Sequence, residues 1–189
     1  MQNKIIFVIL CLVLFFVALG YLVYNDAFLY RSAAVVDISE NQTLMLTDRE
    51  YFPFVHKLLN SANQSIHIVM FSMNYYPDYP DSSVNMLLKD LENAAGRGLD
   101  VKVVVDEHAT DSPLLKMLQK KGINIKFDRK DITTHDKLII IDGKIVIIGS
   151  TNWSYYSFEK NHEANVVIYS KELADDFEYY FEKICAESG

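Results

Sequence analysis

The sequence predicts an α/β fold: one domain built on a mixed β-sheet, with helices flanking both faces, behind an N-terminal apolar segment. Three observations carry this. Short runs rich in valine and isoleucine alternate with longer stretches of helical periodicity between Tyr51 and Cys185. Two of those runs, Leu138–Ile141 and Lys144–Ile148, are separated only by Asp142-Gly143, a strong hairpin signal. The third is an uncharged run of 20 residues, Ile5 to Tyr24, set apart from all that follows.

That run follows Lys4. As a helix rising about 1.5 Å per residue it would cross a hydrocarbon core of roughly 30 Å. The rival reading is a cleaved secretory signal, for which Ala18-Leu19-Gly20 offers suitably spaced small residues. The run is longer than the ~7–15 apolar residues of a signal core, which favours a retained anchor. Val8-Ile9-Leu10 before Cys11 does not suit a lipoprotein signal. The expected organisation is an anchor or signal over residues 1–24, a linker over 25–43 with a candidate edge strand at Ala34–Ile38, and a folded domain over 44–189. A positive charge ahead of the run puts the domain on the extracytoplasmic side, tethered by one span or secreted after cleavage.

At 189 residues, half of them hydrophobic, the chain can bury one sizeable core. Its net charge of −7 falls on residues 31–189, because residues 1–30 hold only Lys4 and Asp26, which cancel. An acidic balance argues against loose, sequence-independent binding along nucleic acid, though not against a basic groove. Cys11 and Cys185 make no plausible bridge, so cysteine usage says nothing about redox compartment.

The elements follow in order. Tyr51–Ala62 reads as a helix with Pro53 in its first turn, and Ser65–Phe71 as a strand. Ser83 caps a helix running to Arg97 and stopped by Gly98, with Val101–Val105 a buried strand after it. Ser112-Pro113 opens a helix ended by Gly122, and Ile123–Phe127 is the next strand. After the hairpin, Ala164–Tyr169 is a last strand and Lys171–Cys185 a closing helix.

A two-residue turn at Asp142-Gly143 makes opposed residues sum to 285, so that Lys137 faces Ile148 and His135 faces Ser150. Opposed residues share a face of the sheet, as do alternate residues of one strand. His135, Lys137 and Ser150 are thus expected to cluster, with Asn152 just beyond. A nucleophile or base, a fixed cation, a hydroxyl and an amide are what a phosphate needs: charge neutralisation plus donors to its non-bridging oxygens.

The pattern His135-x-Lys137-x₄-Asp142-x₆-Gly149-Ser150-x-Asn152 resembles the signature of the phospholipase D superfamily, with every position filled, and Asn161-His162-Glu163 downstream adds to the match. The likeness extends from about residue 43 to the end. It implies a phosphodiesterase that displaces at phosphorus in two steps and needs no metal or other cofactor. By resemblance His135 is the nucleophile, forming a phosphohistidine, and Lys137, Ser150 and Asn152 hold the phosphate. Glu163 would orient the imidazole by accepting its hydrogen bond, and Asp142 completes the catalytic set. A turn also wants aspartate at position 142 for backbone reasons alone.

The family's reaction uses two histidines, one attacking and one protonating the leaving oxygen. This chain has one motif, and His56, His67, His108 and His162 do not begin a second. It is similar to small single-motif members, bacterial endonucleases and a mitochondrial cardiolipin hydrolase, whose site is shared across a two-fold axis. A homodimer is therefore expected. The substrate expected is a phospholipid, in keeping with the tether at residues 5–24 and the acidic surface. The alternative is a tethered or secreted endonuclease acting on DNA or RNA.

Other features have blander readings. His162 beside Glu163 lacks a third metal ligand at a sensible spacing. His108 reads as a loop residue after a strand. Residues 116–130 carry Lys116, Lys120, Lys121, Lys126, Arg129 and Lys130 against Asp128, either a solvated helix face or a rim attracting polyanions. Tyr75-Tyr76-Pro77-Asp78-Tyr79-Pro80 and Trp153–Phe158 are aromatic loops beside the expected site, suited to packing or to substrate contact.

Overall fold

The computed structural model describes residues 12–18, 20, 42–108 and 112–189. Of the Ile5–Tyr24 run, residues 12–18 and 20 are described, as helix with exposed side chains, while the rest and the Ala34–Ile38 strand lie outside the described residues. Among the described residues no helix is long and apolar enough to cross a membrane.

The domain is a seven-stranded mixed sheet in the order β1-β7-β6-β5-β2-β3-β4. Its strands are β1 (Thr43–Thr47), β2 (Ser65–Met70), β3 (Asp100–Val105), β4 (Asn124–Phe127), β5 (Lys137–Ile141), β6 (Ile145–Gly149) and β7 (Ala164–Tyr169). The helices are α1 (Tyr51–Ser61), α2 (Ser83–Gly96), α3 (Ser112–Lys120), α4 (Tyr155–Glu159) and α5 (Lys171–Glu187). β2, β3 and β4 run parallel, and β5 turns antiparallel to β2. The carboxyl ends of β1, β2, β3, β4 and β6 therefore meet the amino ends of β5 and β7 along one edge.

Alternation along the strands divides the core. Val69, Val104, Leu138, Ile140 and Val146 project toward α5, where they meet Ala174, Phe181 and Cys185. The intervening residues, among them Ile68, Val103, Ile139 and Ile147, are buried on the other side of the sheet. β5 is buried on both faces, which is why it reads as an unbroken apolar run.

Four sequence expectations need correction. Ser82, not Ser83, caps α2, its hydroxyl accepting the Asn85 N–H at 3.3 Å. β1 begins at Thr43, inside the expected linker, and pairs with β7 from Thr43–Ile168 to Thr47–Ala164. The aromatic segment after Trp153 forms α4, capped by Ser154. The hairpin is displaced by one residue: its tight turn closes with Lys144 N–H donating to Ile141 C=O at 3.2 Å, and Asp142 and Gly143 both have positive φ, yet Ile141 pairs with Ile145 and Leu138 with Ile148. Pairing Lys144 in the ladder would aim its ammonium into the face buried at Ile139 and Ile141. Leaving it outside keeps it exposed and puts Ile145 and Ile147 there instead.

A polar clamp locks α5 to the sheet. His67 of β2 is buried and stacks on Phe181 at 4.8 Å, with Nδ1 2.6 Å from Glu178 Oε2 and Nε2 3.3 Å from Asp100 Oδ2. Burial works against the charged imidazole, but the hydrogen bond and charge of Glu178, helped by Asp100, outweigh it and raise the group above its ordinary value. A raised folded value gives stability that is complete below the unfolded value of 6.5 and is lost as pH climbs through the folded one. The melting temperature of the wild type should exceed that of Glu178→Gln most below pH 6.5, the gap closing at higher pH. A gap independent of pH in calorimetry would mean His67 is not the titrating partner.

Candidate active site

The start of β5 brings His135 and Lys137 to the shared edge. Lys137 is only 8% exposed, and its Nζ donates to the His135 carbonyl at 2.8 Å and lies 3.3 Å from His135 Nε2. The cation and this ring nitrogen therefore sit side by side. Phe71, the residue after β2, packs against both, 4.6 Å from the imidazole and 4.9 Å beneath Nζ. Burial lowers the Lys137 ammonium below its ordinary value, against the pull of Asp136 and Glu163.

Ser150, Asn152 and Glu163 arrive by a different route from the one the hairpin arithmetic proposes. With the register displaced, extension of the ladder sets Lys137 opposite Gly149 and His135 opposite Thr151, so Ser150 is not the partner of His135. Ser150 follows the end of β6. Its hydroxyl donates to Glu163 Oε2 in a short hydrogen bond and accepts the Ala164 N–H at 3.1 Å. Asn152 Oδ1 accepts the Ser72 N–H at 3.3 Å, placing the amide beside Phe71.

Glu163 also departs from expectation. Its carboxylate bonds the Ser150 hydroxyl and the Asn161 amide, the latter at 2.9 Å, rather than the His135 imidazole. Its backbone is fixed from the first strand: Glu163 N–H donates to Asp48 Oδ1 at 2.8 Å, and Asp48 N–H returns to the Glu163 carbonyl at 2.9 Å.

Asp142 is not brought to this edge. It lies beyond the far end of β5, a distance of about 3.3 Å per residue from Lys137. Oδ1 accepts the N–H groups of Asn63, Gln64 and Ser65 at 3.0, 2.7 and 3.2 Å, tying the α1–β2 turn to the hairpin. The contacts given for its carboxylate are all to backbone N–H groups of that turn.

Three residues support the site in ways the sequence does not spell out. A Cβ at Gly149 would come 2.6 Å from Asn165 Cα, so only glycine lets β6 approach β7 there. Asn165, 2% exposed, accepts from the Thr151 N–H and donates to Thr151 Oγ1 at 2.8 Å, holding the segment between Ser150 and Asn152. Trp153, wholly buried, anchors the same segment through Nε1 donating to Tyr51 Oη at 3.2 Å. The motif glycine was the available signal for the first; nothing in the local sequence separates Asn165 or Trp153 from ordinary core residues.

The basic stretch is largely engaged. Lys121 pairs with Glu92, Arg129 with Asp131 and Glu187, and Lys130 with Glu107, while Lys126 donates to the Cys185 carbonyl at 3.0 Å. The aromatic loops instead line a groove of about 870 Å³ with Tyr76, Tyr79, Tyr155 and Tyr156. His162 pairs with Asp48 at 3.0 Å, and among the described residues no group of three His, Cys, Asp or Glu side chains could hold a metal ion.

A mixed sheet presenting a histidine–lysine pair at its carboxyl edge defines a phospholipase D-like domain. Comparison with known proteins is consistent with that class. The family model "Cardiolipin synthase, PLD-like domain" matches residues 55–185, and the chain belongs to this phospholipase D-like family. It is 32% identical over 126 residues to a phospholipase D of Rickettsia bellii, covering 66% of this chain and 58% of the relative. It is 26% identical over 129 residues to a mitochondrial cardiolipin hydrolase of Chlamydomonas reinhardtii, covering 67% of this chain and 53% of that one. The crystal structure of Nuc, a phospholipase D family member from Salmonella typhimurium, superposes with a TM-score of 0.67 at 26% identity, over 78% of this chain and 97% of that chain. The chain thus spans little more than half the length of these curated relatives.

The placement of Asp142 predicts a separation of effects. Asp142→Ala should destabilise the domain by about 1–3 kcal/mol, through three lost hydrogen bonds to a carboxylate, while leaving reaction at His135 unchanged per folded molecule. Chemical denaturation beside a turnover measurement reads both, and a loss of turnover without a loss of stability would return Asp142 to the site.

Proposed function

We propose that this chain is a phosphodiesterase of phospholipase D type whose preferred substrate is a phospholipid. The observation that carries the proposal is the approach of the buried Lys137 Nζ to His135 Nε2, at 3.3 Å. Nε2 attacks phosphorus, the bond from phosphorus to the leaving alcohol breaks, and a second histidine gives that oxygen its proton. Water, giving a proton back to that second histidine, then attacks the phosphohistidine, releasing the phosphate monoester and restoring both histidines. Lys137, the Ser150 hydroxyl and the Asn152 amide stabilise the non-bridging oxygens. Swinging the Glu163 carboxylate from Ser150 to His135 Nδ1 would orient the imidazole and free the hydroxyl for phosphate. No step in this scheme calls for a metal.

The second histidine comes from a second copy of the chain in this reading. His56, His67 and His162 are each tied to a carboxylate and His108 lies in the loop after β3, outside the motif, while His135 stands exposed at the sheet edge, open to a two-fold partner. Support for a phospholipid is the acidic net charge of −7, the groove lined by Tyr76, Tyr79, Tyr155 and Tyr156, and the names of the similar phospholipase D and cardiolipin hydrolase. An anchor over residues 5–24, with the domain on the extracytoplasmic side, would deliver it to such a substrate. The likeness to Nuc favours endonuclease action as the second reading.

Two experiments test this. With a chelator present, the wild type should release headgroup or phosphatidate from phosphatidylcholine or cardiolipin vesicles, and His135→Asn should not. Cleavage of single-stranded DNA with no lipid product, lost in the same variant, would make the protein a nuclease; activity abolished by the chelator would overturn metal independence. For the shared site, mixing His135→Asn with wild type should lower specific activity more than dilution predicts, because mixed dimers lack one of the two histidines. A fully active monomer by light scattering would defeat that part.

A further inference from the structure

The peptide leading into His135 is held by two buried carboxylates that neither the motif nor the scheme above uses. Asp106, immediately after β3, is 1% exposed, and Asp128, immediately after β4, is 7% exposed. Their Oδ2 atoms converge on one donor, the N–H of Thr134, at 3.2 Å from Asp106 and 3.1 Å from Asp128. Their other oxygens turn back to the loop after β3: Asp106 Oδ1 accepts the His108 N–H at 2.9 Å, and Asp128 Oδ1 accepts the Glu107 N–H at 3.2 Å. Two parallel strands thus each end in an aspartate that reaches across to the same amide.

Satisfying one N–H needs one acceptor, and burying two carboxylates beside each other is costly. The arrangement makes sense by what it fixes. Thr134 is buried, and the next two residues are held by their carbonyls: that of His135 by Lys137 Nζ at 2.8 Å and that of Asp136 by the Phe71 N–H at 2.8 Å. Three successive residues around the imidazole are therefore fixed from β3 and β4 on one side and from β2 and β5 on the other. We infer that Asp106 and Asp128 form a paired brace that positions His135 for attack, so that they are positioning residues for the reaction although they do not touch the phosphate.

The inference rests on His135 being the nucleophile. A brace acts on the geometry of attack and not on ground-state binding, so its loss falls on kcat and spares KM. Acceptance of a hydrogen bond, which an asparagine oxygen can also do, is the property required.

The test uses the full chain and bis(p-nitrophenyl) phosphate, a phosphodiester that needs neither lipid nor nucleic-acid recognition. Asp106→Ala and Asp128→Ala should each lower kcat by about tenfold, and the pair by more than either alone, with KM within about twofold, while Asp128→Asn stays within about threefold of wild type. In the wild type, hydrogen exchange should show the Thr134 amide protected far beyond those of its exposed neighbours Ile132 and Thr133; that measurement stands even if the alanine variants fail to fold. Unchanged kcat in both folded alanine variants, a rise in KM alone, or a Thr134 amide exchanging as fast as its neighbours would overturn the brace. If His135→Asn hydrolyses the substrate as well as the wild type, it is the assignment of the nucleophile that fails.

Discussion

The geometry of the site depends on β5 running against β2. Their ladder, from Ile66–Ile141 to Met70–Lys137, is the point where a parallel half-sheet becomes antiparallel. Had β5 joined in parallel, its amino end would lie at the opposite edge, away from the exits of β2, β3 and β4. The reversal sends the approach to His135 back along that edge, where it meets the aspartates ending β3 and β4. It also puts the end of β6 and the start of β7 alongside, which carries Ser150 and Glu163 to the same place.

Fixing a reactive imidazole on an exposed edge requires that its supports be buried. Lys137, Thr134, Asp106, Asp128 and Asn165 are all nearly inaccessible, while His135 itself is exposed. The polar groups beneath it are each given partners, so the cost of desolvating them is offset by hydrogen bonds that a solvated loop would not keep. Phe71 adds an apolar wall against both imidazole and ammonium, which raises the strength of the charge interactions made there.

Much of this is written locally. Runs such as Leu138–Ile141 have the strand period and composition, serines and glycines mark helix ends, and the spacing of His135, Lys137, Ser150 and Asn152 implies that they share one edge, where the fold sets them. What escaped depends on pairing over distance. Thr43–Thr47 has no local signal strong enough to mark it as a strand, because its stability comes from β7, some 120 residues away. The turn at Asp142-Gly143 was recognised, but the register beyond it is set by where the Lys144 charge can go, a property of the assembled core. Asp142 shows the same limit: spacing places it in the motif, and only the fold shows its carboxylate gripping the turn before β2. The partner of Glu163 likewise turns on a side-chain orientation that spacing does not encode.

The pairing of β1 with β7 has a bearing on how the protein is made. Asp48, at the end of the first strand, holds the backbone of Glu163 by a reciprocal pair of hydrogen bonds, so one of the site's carboxylates is secured by residues near the beginning of the folded domain. During synthesis the earlier segment leaves the ribosome well before its partner and must wait for it. The half-sheet of β2, β3 and β4 can assemble in the meantime, since its contacts are closer in sequence. The edge that carries His135 and Glu163 is therefore completed late in translation, once β7 has been made and has paired with β1.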